Sequence, residues 1–261
     1  MSELSKRIFT ALILIVLVWA WYFHVPQPWF VWGMALIGFI TTCELVLLMK
    51  LYRPSIYIST ALVLWAGFAL QPHFGQLLLL IFVWFLAFAA TSRQTARSFA
   101  DFFASVWIFA WLFAFAYAIV VTHHSETGRG LVIGACLAVW SSDIAAYFVG
   151  RRWGQVKLCP AISPGKSVEG LLGGLLFGIP VAAMIWLPLG VMPALTAILL
   201  ALVAVIAGVL GDLSESSVKR MAGAKDSGRL LPGHGGVLDR IDAIIMAVPV
   251  TWVIWSMLCC D

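Results

Sequence analysis

Charge is what this chain has least of. Only 11% of its 261 residues are Asp, Glu, Lys or Arg, while 62% are hydrophobic, and so few charges cannot cover the apolar surface of a water-soluble fold. The shortage excludes an ordinary soluble domain and makes lipid the main solvent. Cysteine is scarce in pattern rather than in number. Cys43, Cys136, Cys159, Cys259 and Cys260 contain no CxxC pair, and no His stands at zinc-ligand spacing, so neither a disulfide frame nor a zinc site is suggested. The final Cys259-Cys260-Asp261 is not a prenylation box, which would place a Cys fourth from the end. There is no internal repeat of fixed period and no low-complexity linker, which favours one continuous helical assembly over detachable domains.

What is present is one apolar run after another. A bilayer core about 30 Å thick needs roughly 20 apolar residues per helical crossing, and the mean hydropathy of the chain is +1.01. The runs predict crossings near 8–23, 29–49, 56–71, 75–90, 102–122, 130–150, 168–188, 193–211 and 241–260. The expected fold is therefore an all-α, polytopic transmembrane bundle of about nine helices. Lys6 and Arg7 before the first run resemble the start of a signal peptide, but no small-x-small cleavage site follows and the run continues into Trp19, Trp21 and Tyr22, as in a retained helix. The thirteen Trp residues, many near helix ends, read as interfacial anchors.

Lys and Arg accumulate in cytoplasmic loops. With the N-terminus inside and the C-terminus outside, fifteen of the sixteen basic residues fall on the cytoplasmic side and only Arg129 falls across the membrane. The formal net charge of +4 then describes a basic cytoplasmic face suited to anionic lipid and nucleotide. Nucleic acid is not implied.

The two halves differ. Residues 1–129 form N-terminal transmembrane helices with short connections. Glu44 is their main intramembrane exception. A carboxyl in a membrane helix is usually functional, yet Glu44 is within about a turn of Lys50 and the interface, so a structural role stands beside a functional one. Arg93, Arg97 and Asp101 read as a solvated or headgroup-facing stretch. Residues 130–261 are the expected catalytic membrane region, because their cytoplasmic connections are long and combine Gly, Pro, Ser, Asp, Lys and His.

Three polar clusters carry the chemistry of that region. In the first, Trp140-Ser141-Ser142-Asp143 leads to Gly150-Arg151-Arg152, and Asp143, inside a crossing, needs a cation, a donor or a proton. The second runs from Ser163 through Pro164-Gly165-Lys166-Ser167-Val168-Glu169 to Gly170, where hydroxyls, a Lys and free N–H groups opening a helix suit a phosphate oxyanion. It lacks Walker spacing, since Pro160 stands where the first Gly would be. Gly170, Gly173 and Gly174 fit close helix packing.

The third cluster extends from Gly211-Asp212 through Ser217-Val218-Lys219-Arg220 and Lys225-Asp226 to Gly233-His234-Gly235-Gly236-Val237-Leu238-Asp239-Arg240-Ile241-Asp242. Asp212 is expected to end one crossing and Asp239 to begin the next, and two carboxylates at one depth can hold a hard divalent cation such as Mg²⁺ together with substrate phosphates. Asp239 and Asp242, three apart, would share a helical face. Lys219, Arg220, Lys225 and Arg229 can neutralise a polyphosphate, although cytoplasmic loops are basic anyway. The glycines around His234 would present N–H groups to an anion as a nest. His234 itself fits phosphate donation, proton transfer or bracing of the turn, and spacing does not choose among these.

Ser217-Val218-Lys219-Arg220, Lys225-Asp226 and the run from Pro232 to Asp242 resemble the signature of the phosphatidate cytidylyltransferases, also called CDP-diacylglycerol synthases. The Ser163–Gly170 stretch and the Asp143 segment are also similar to their counterparts there, so the resemblance covers roughly residues 140–245. Gly165, Ser167 and Val168 depart from the Lys, Thr and Trp common in that family. The resemblance implies a helical membrane enzyme, often dimeric, converting CTP and phosphatidate to CDP-diacylglycerol and pyrophosphate with Mg²⁺, and implies a potassium dependence as well. It implies Asp212, Asp239 and Asp242 as metal residues, and Lys219, Arg220 and His234 as catalytic residues beside Asp212 and Asp239. Substrate contacts are implied for Asp143, Ser163, Lys166, Ser217, Lys225, Asp226, Arg229, Gly235, Gly236 and Arg240. The implied setting is the bacterial inner membrane, with a cytoplasmic active site.

A transporter or channel is the competing class, on the strength of the many crossings and of Glu44 and Asp143. Charge density at one face rather than at the midplane, together with the lack of repeats, favours the enzyme.

Overall fold

The computed structural model describes residues 16–51, 54–70, 96–228, 230 and 235–259, with the backbone alone at 56, 96–102, 104, 105, 108 and 259. The helices, in chain order, are α1 (Gln27–Leu48), α2 (Pro54–Leu70), α3 (Ala96–Thr122) and α4 (Glu126–Trp153). A two-stranded hairpin, β1 (Lys157–Cys159) and β2 (Ser163–Ser167), then precedes α5 (Val168–Trp186), α6 (Ala194–Met221), the one-turn α7 (Leu238–Ile241) and α8 (Ile244–Cys259). Residues 16–24 are also helical. The expected crossing at 75–90 and the start of the one at 8–23 lie outside the described residues.

Among the described residues four helices, α1, α4, α5 and α6, are long and apolar enough to cross a membrane, and Tyr57–Leu70, Phe109–Thr122 and Ile244–Leu258 are shorter apolar helices. The protein is a helical integral membrane protein. The hairpin is an addition to the all-helical expectation. Its antiparallel strands pair Lys157 with Ser167 and Cys159 with Ser163, a register too short, and too rich in Pro and Gly, to show an alternating pattern.

The chain forms two compact units, Met1–Ala116 with Met221–Arg240, and Tyr117–Arg220 with Ile241–Asp261. In the first unit α1 packs on α2. The Trp65 indole N–H donates to Thr42 Oγ1 at 3.1 Å, and Phe68, Phe109 and Phe113 surround the same ring with centroids at 5.5, 6.0 and 6.5 Å. Gly38 makes room, since a Cβ there would overlap that indole.

In the second unit α4 and α5 lie close together because glycines replace side chains at their contact. A Cβ at Gly174 would meet Ser142 Oγ at 2.5 Å, and one at Gly178 would meet the Ala138 carbonyl at 2.8 Å. Lipid offers no hydrophobic driving force between helices, so this close van der Waals approach is what holds them. At the far end of α5, Trp186 is fully buried and its indole N–H donates to the carbonyls of Gly130 and Leu131, both at 3.2 Å.

Candidate active site

The second unit places its charges through α6. The helix that carries the crossing expected near 193–211 continues past it to Met221. No Gly or Pro interrupts residues 212–221, and the helix stops only before Gly223, whose φ of +69 suits the left-handed turn that closes helices. Asp212, Glu215, Ser216 and Lys219 therefore stand at i, i+3, i+4 and i+7, on one face. Gly211 lets Asp242 approach, since a Cβ there would meet the Asp242 carbonyl oxygen at 2.6 Å.

Carboxylate oxygens of Asp212, Glu215 and Asp242 come within 4.8 Å of one another. Lys166 Nζ, from β2, lies 2.5 Å from Asp212 Oδ2, Ser216 Oγ donates to Asp212 Oδ1 at 3.3 Å, and Lys219 pairs with Glu215 one turn away. Glu215 and Lys219 are buried, and both Lys166 and Asp143 are near enough to act electrostatically on this group. Three hard carboxylate donors with two lysines as counterions form a set suited to an oxygen-preferring cation.

Asp242 departs from expectation in one respect. Helix α7 ends at Ile241 and α8 begins at Ile244, so Asp242 occupies the turn between them rather than continuing a helical face with Asp239. There Asp242 Oδ1 accepts the Ala243 N–H at 2.8 Å. Burial, and secondarily the charge of Asp212, push the Asp242 carboxyl up to about 7, against the Ala243 hydrogen bond and Lys219.

The hairpin is fastened to the same unit at several points. Ser167 Oγ accepts the Gly170 N–H at 3.1 Å as the cap of α5. Glu169 accepts the Val156 N–H at 3.1 and 3.3 Å through its two oxygens. Arg220 Nε donates to the Ile162 carbonyl at 3.5 Å. The second polar cluster thus spends Ser167 and Glu169 on its own architecture and presents Lys166 to Asp212, while Ser163 is half-buried in β2 and Ser217 half-buried on α6.

The first unit holds the glycine-rich loop. Asp239 Oδ2 accepts three hydrogen bonds, from Ser227 N at 2.8 Å, Ser227 Oγ at 2.9 Å and Gly236 N at 2.8 Å. Glu44, reaching from α1, accepts Val237 N–H on Oε1 and Leu238 N–H on Oε2, both at 3.0 Å. Gly235 has φ +82, and a Cβ there would sit 2.6 Å from Asp239 Oδ2. Of the expected nest, the Gly236 N–H is given to the chain's own carboxylate at Asp239. Lys225, Asp226 and Arg240 are exposed on this loop. Arg229, Gly233 and His234 lie outside the described residues.

Sequence reasoning left Glu215 out of the metal residues and left the role of Glu44 open. The i, i+3 spacing of Asp212 and Glu215 would have joined them once the helix was extended. Nothing in sequence spacing brings Glu44 to residue 237.

Fold and site define a polytopic membrane protein with a carboxylate cluster of the kind that holds a hard cation, bordered by lysines able to meet phosphate. The chain belongs to the cytidylyltransferase family, whose model matches residues 5–258. It is similar to the phosphatidate cytidylyltransferase of Haemophilus influenzae, 46% identical over 134 residues, which are 49% of this chain and 46% of that protein. The Bacillus subtilis phosphatidate cytidylyltransferase is 39% identical over 140 residues, 53% of this chain and 52% of that protein. That of Pseudomonas aeruginosa is 46% identical over 124 residues, 47% of this chain and 46% of that protein. The chain spans about half the length of the curated relatives it matches.

Proposed function

We propose that this protein transfers a cytidylyl group from CTP to phosphatidate, giving CDP-diacylglycerol and pyrophosphate for phospholipid synthesis. The carrying observation is the carboxylate group Asp212, Glu215 and Asp242 with Lys166 and Lys219 against it, in a chain of this family. The three carboxylates are the residues of the second unit that would hold Mg²⁺, and a metal role for Asp239, in the first unit, is proposed on the family resemblance alone. Bound Mg²⁺ would act as a Lewis acid that neutralises phosphate charge. A potassium dependence is proposed on the same resemblance.

A phosphatidate oxygen attacks the α-phosphorus of CTP, and the bond to the bridging oxygen breaks with its electron pair leaving on pyrophosphate. Both reactants are anions, so the chain's task is alignment and neutralisation, and no protein nucleophile is needed. Lys166, Lys219 and Arg220 offer cationic donors in the second unit, and Lys225 and Arg240 offer them on the loop of the first. Arg supplies paired contacts to phosphate oxygens where Lys acts as a point charge. The lipid tails of phosphatidate remain in the bilayer while its headgroup meets the polar segment.

The basic residues favour the cytoplasmic face as the side on which CTP is met, in the inner membrane of a bacterium. A homodimer is proposed from the resemblance. Purified protein in detergent, given phosphatidate, Mg²⁺ and each nucleoside triphosphate in turn, tests the reaction. Pyrophosphate release with CTP above the other nucleotides is the expected result. No nucleotide consumption, with a solute instead crossing sealed vesicles, would move the protein to the transporter class.

A further inference from the structure

Glu44 is a buried carboxylate on a helix of the N-terminal half, and the reaction proposed above gives it no task. It does not sit at the interface as a solvated charge. Its two oxygens divide between two consecutive amides, Val237 N–H and Leu238 N–H, each at 3.0 Å. The loop approaches it so closely that a Cβ at Gly228 would lie 2.8 Å from Oε1 and one at Gly236 would lie 2.7 Å from Oε2. Glycine at both positions is thus matched to the carboxylate as well as to the turn. The same loop closes on itself through Asp239 Oδ2, which gathers Ser227 N, Ser227 Oγ and Gly236 N. One carboxylate ties the two limbs of the loop together, and the other ties the loop to α1.

A carboxylate taken from water into a buried site is costly unless donors meet both of its oxygens. Two backbone donors do so here, and in return Val237 and Leu238, which open the one-turn α7, have partners for amides that no helical carbonyl accepts. An amide side chain of the same shape offers only one acceptor oxygen. Glu44→Gln would therefore leave one of the two N–H groups facing an NH₂ group.

We infer that Glu44 is a positioning residue for the cytidylyl transfer: through its bidentate hold on Val237 and Leu238 it fixes residues 235–239, Asp239 among them, and through Asp239 also Ser227. This rests on the function proposed above. Glu44 acts through the loop and touches no substrate. Its placement also gives the N-terminal half a part in the reaction beyond forming membrane helices.

Amide hydrogen exchange on the full-length protein in detergent, alongside steady-state pyrophosphate release, tests it. In the wild type the amides of Ser227, Gly236, Val237 and Leu238 should exchange far more slowly than those of exposed Lys225 and Asp226. Glu44→Gln should speed exchange at Val237 and Leu238 at least about tenfold and leave α1 amides unchanged. It should also lower kcat at least about tenfold, shift KM for CTP less than about threefold and raise the half-saturating Mg²⁺ concentration. Thr42→Val serves as the control for lost polar packing in the same helix, since Thr42 bonds to Gly38 and Trp65 rather than to the loop; it should leave kcat unchanged.

Loop exchange accelerated by Glu44→Gln with kcat unchanged would overturn the positioning role, as would unchanged exchange. Should Glu44→Gln not fold, the wild-type exchange still decides, because Val237 and Leu238 exchanging as fast as Lys225 would overturn the anchorage. A wild type that consumes no CTP would overturn the proposed function, and the exchange arm would still report whether Glu44 holds the loop.

Discussion

The ammonium of Lys166 lies 2.5 Å from Asp212 Oδ2, each side chain 24% exposed, so the hairpin supplies a cation to the first carboxylate of the α6 cluster. The same carboxylate belongs to the group suited to a divalent ion. Under the proposed function, Lys166 and a bound cation would compete for Asp212, and Lys166 would turn to a phosphate once the cation is in place.

Lys166→Ala should separate these two effects. A partly exposed pair is worth up to about 1 kcal/mol, so removing the competitor should tighten binding of Mn²⁺, used as a paramagnetic probe, by up to about fivefold. Turnover should fall at least about tenfold because a phosphate donor is lost. Electron paramagnetic resonance titration and pyrophosphate release read the two quantities. Weaker Mn²⁺ binding in the variant would rule out the competition.

Asp242 makes the cation-free protein sensitive to pH. Its folded pKa of about 7 is above the unfolded value of about 3.9, so between these values the folded state binds more protons than the unfolded. Stability then falls as pH rises through that window. The unfolding temperature without Mg²⁺ should drop between about pH 4 and pH 7, the window these values define, and Mg²⁺ should offset the drop because it selects the ionised carboxylate. Asp242→Asn should flatten this dependence. A wild type and an Asp242→Asn variant with identical pH slopes would remove Asp242 as its source.

Two glycines of the site region should respond differently to a single methyl. Gly235 has φ +82, and a methyl added there would sit 2.6 Å from Asp239 Oδ2, so Gly235→Ala should cost about 1–3 kcal/mol and speed exchange of the loop amides. Gly165 has nothing within 4 Å of such a methyl. Gly165→Ala should leave the unfolding temperature within about a degree of wild type.

The helix contact of the second unit offers a parallel test. A Cβ at Gly134 would overlap Trp186 Nε1, whereas one at Gly67 meets nothing within 4 Å. Gly134→Ala should lower stability by about 1–3 kcal/mol, and Gly67→Ala, within α2, should be neutral or stabilising by up to about 1 kcal/mol. Thermal unfolding of the pair in one detergent checks the contrast.

Hydropathy made the membrane helices legible because a long apolar run has few alternatives in lipid. It placed α4 and α5 within a few residues, and marked the crossing carried by α6 as far as 211, where the sequence turns polar while remaining helical to Met221. Polarity marks the membrane boundary; helix ends are set by signals such as Gly223. Asp212 and Asp242 could be singled out because charged residues beside apolar runs are conspicuous. The partners of Glu44 could not, since Val237 and Leu238 meet it through main-chain amides that carry no residue identity. The hairpin was hidden for a related reason: its pairing of Lys157 with Ser167 depends on backbone geometry in a segment with no apolar alternation.

The most direct test of the account is transfer from α-³²P-labelled CTP to phosphatidate by wild-type protein and by Asp212→Asn, compared at equal folded concentration with Mg²⁺ present. Wild type should form labelled CDP-diacylglycerol with matching pyrophosphate, and Asp212→Asn should form less than about a hundredth as much. A folded Asp212→Asn protein as active as the wild type would contradict the assignment of the α6 carboxylate cluster to the reaction.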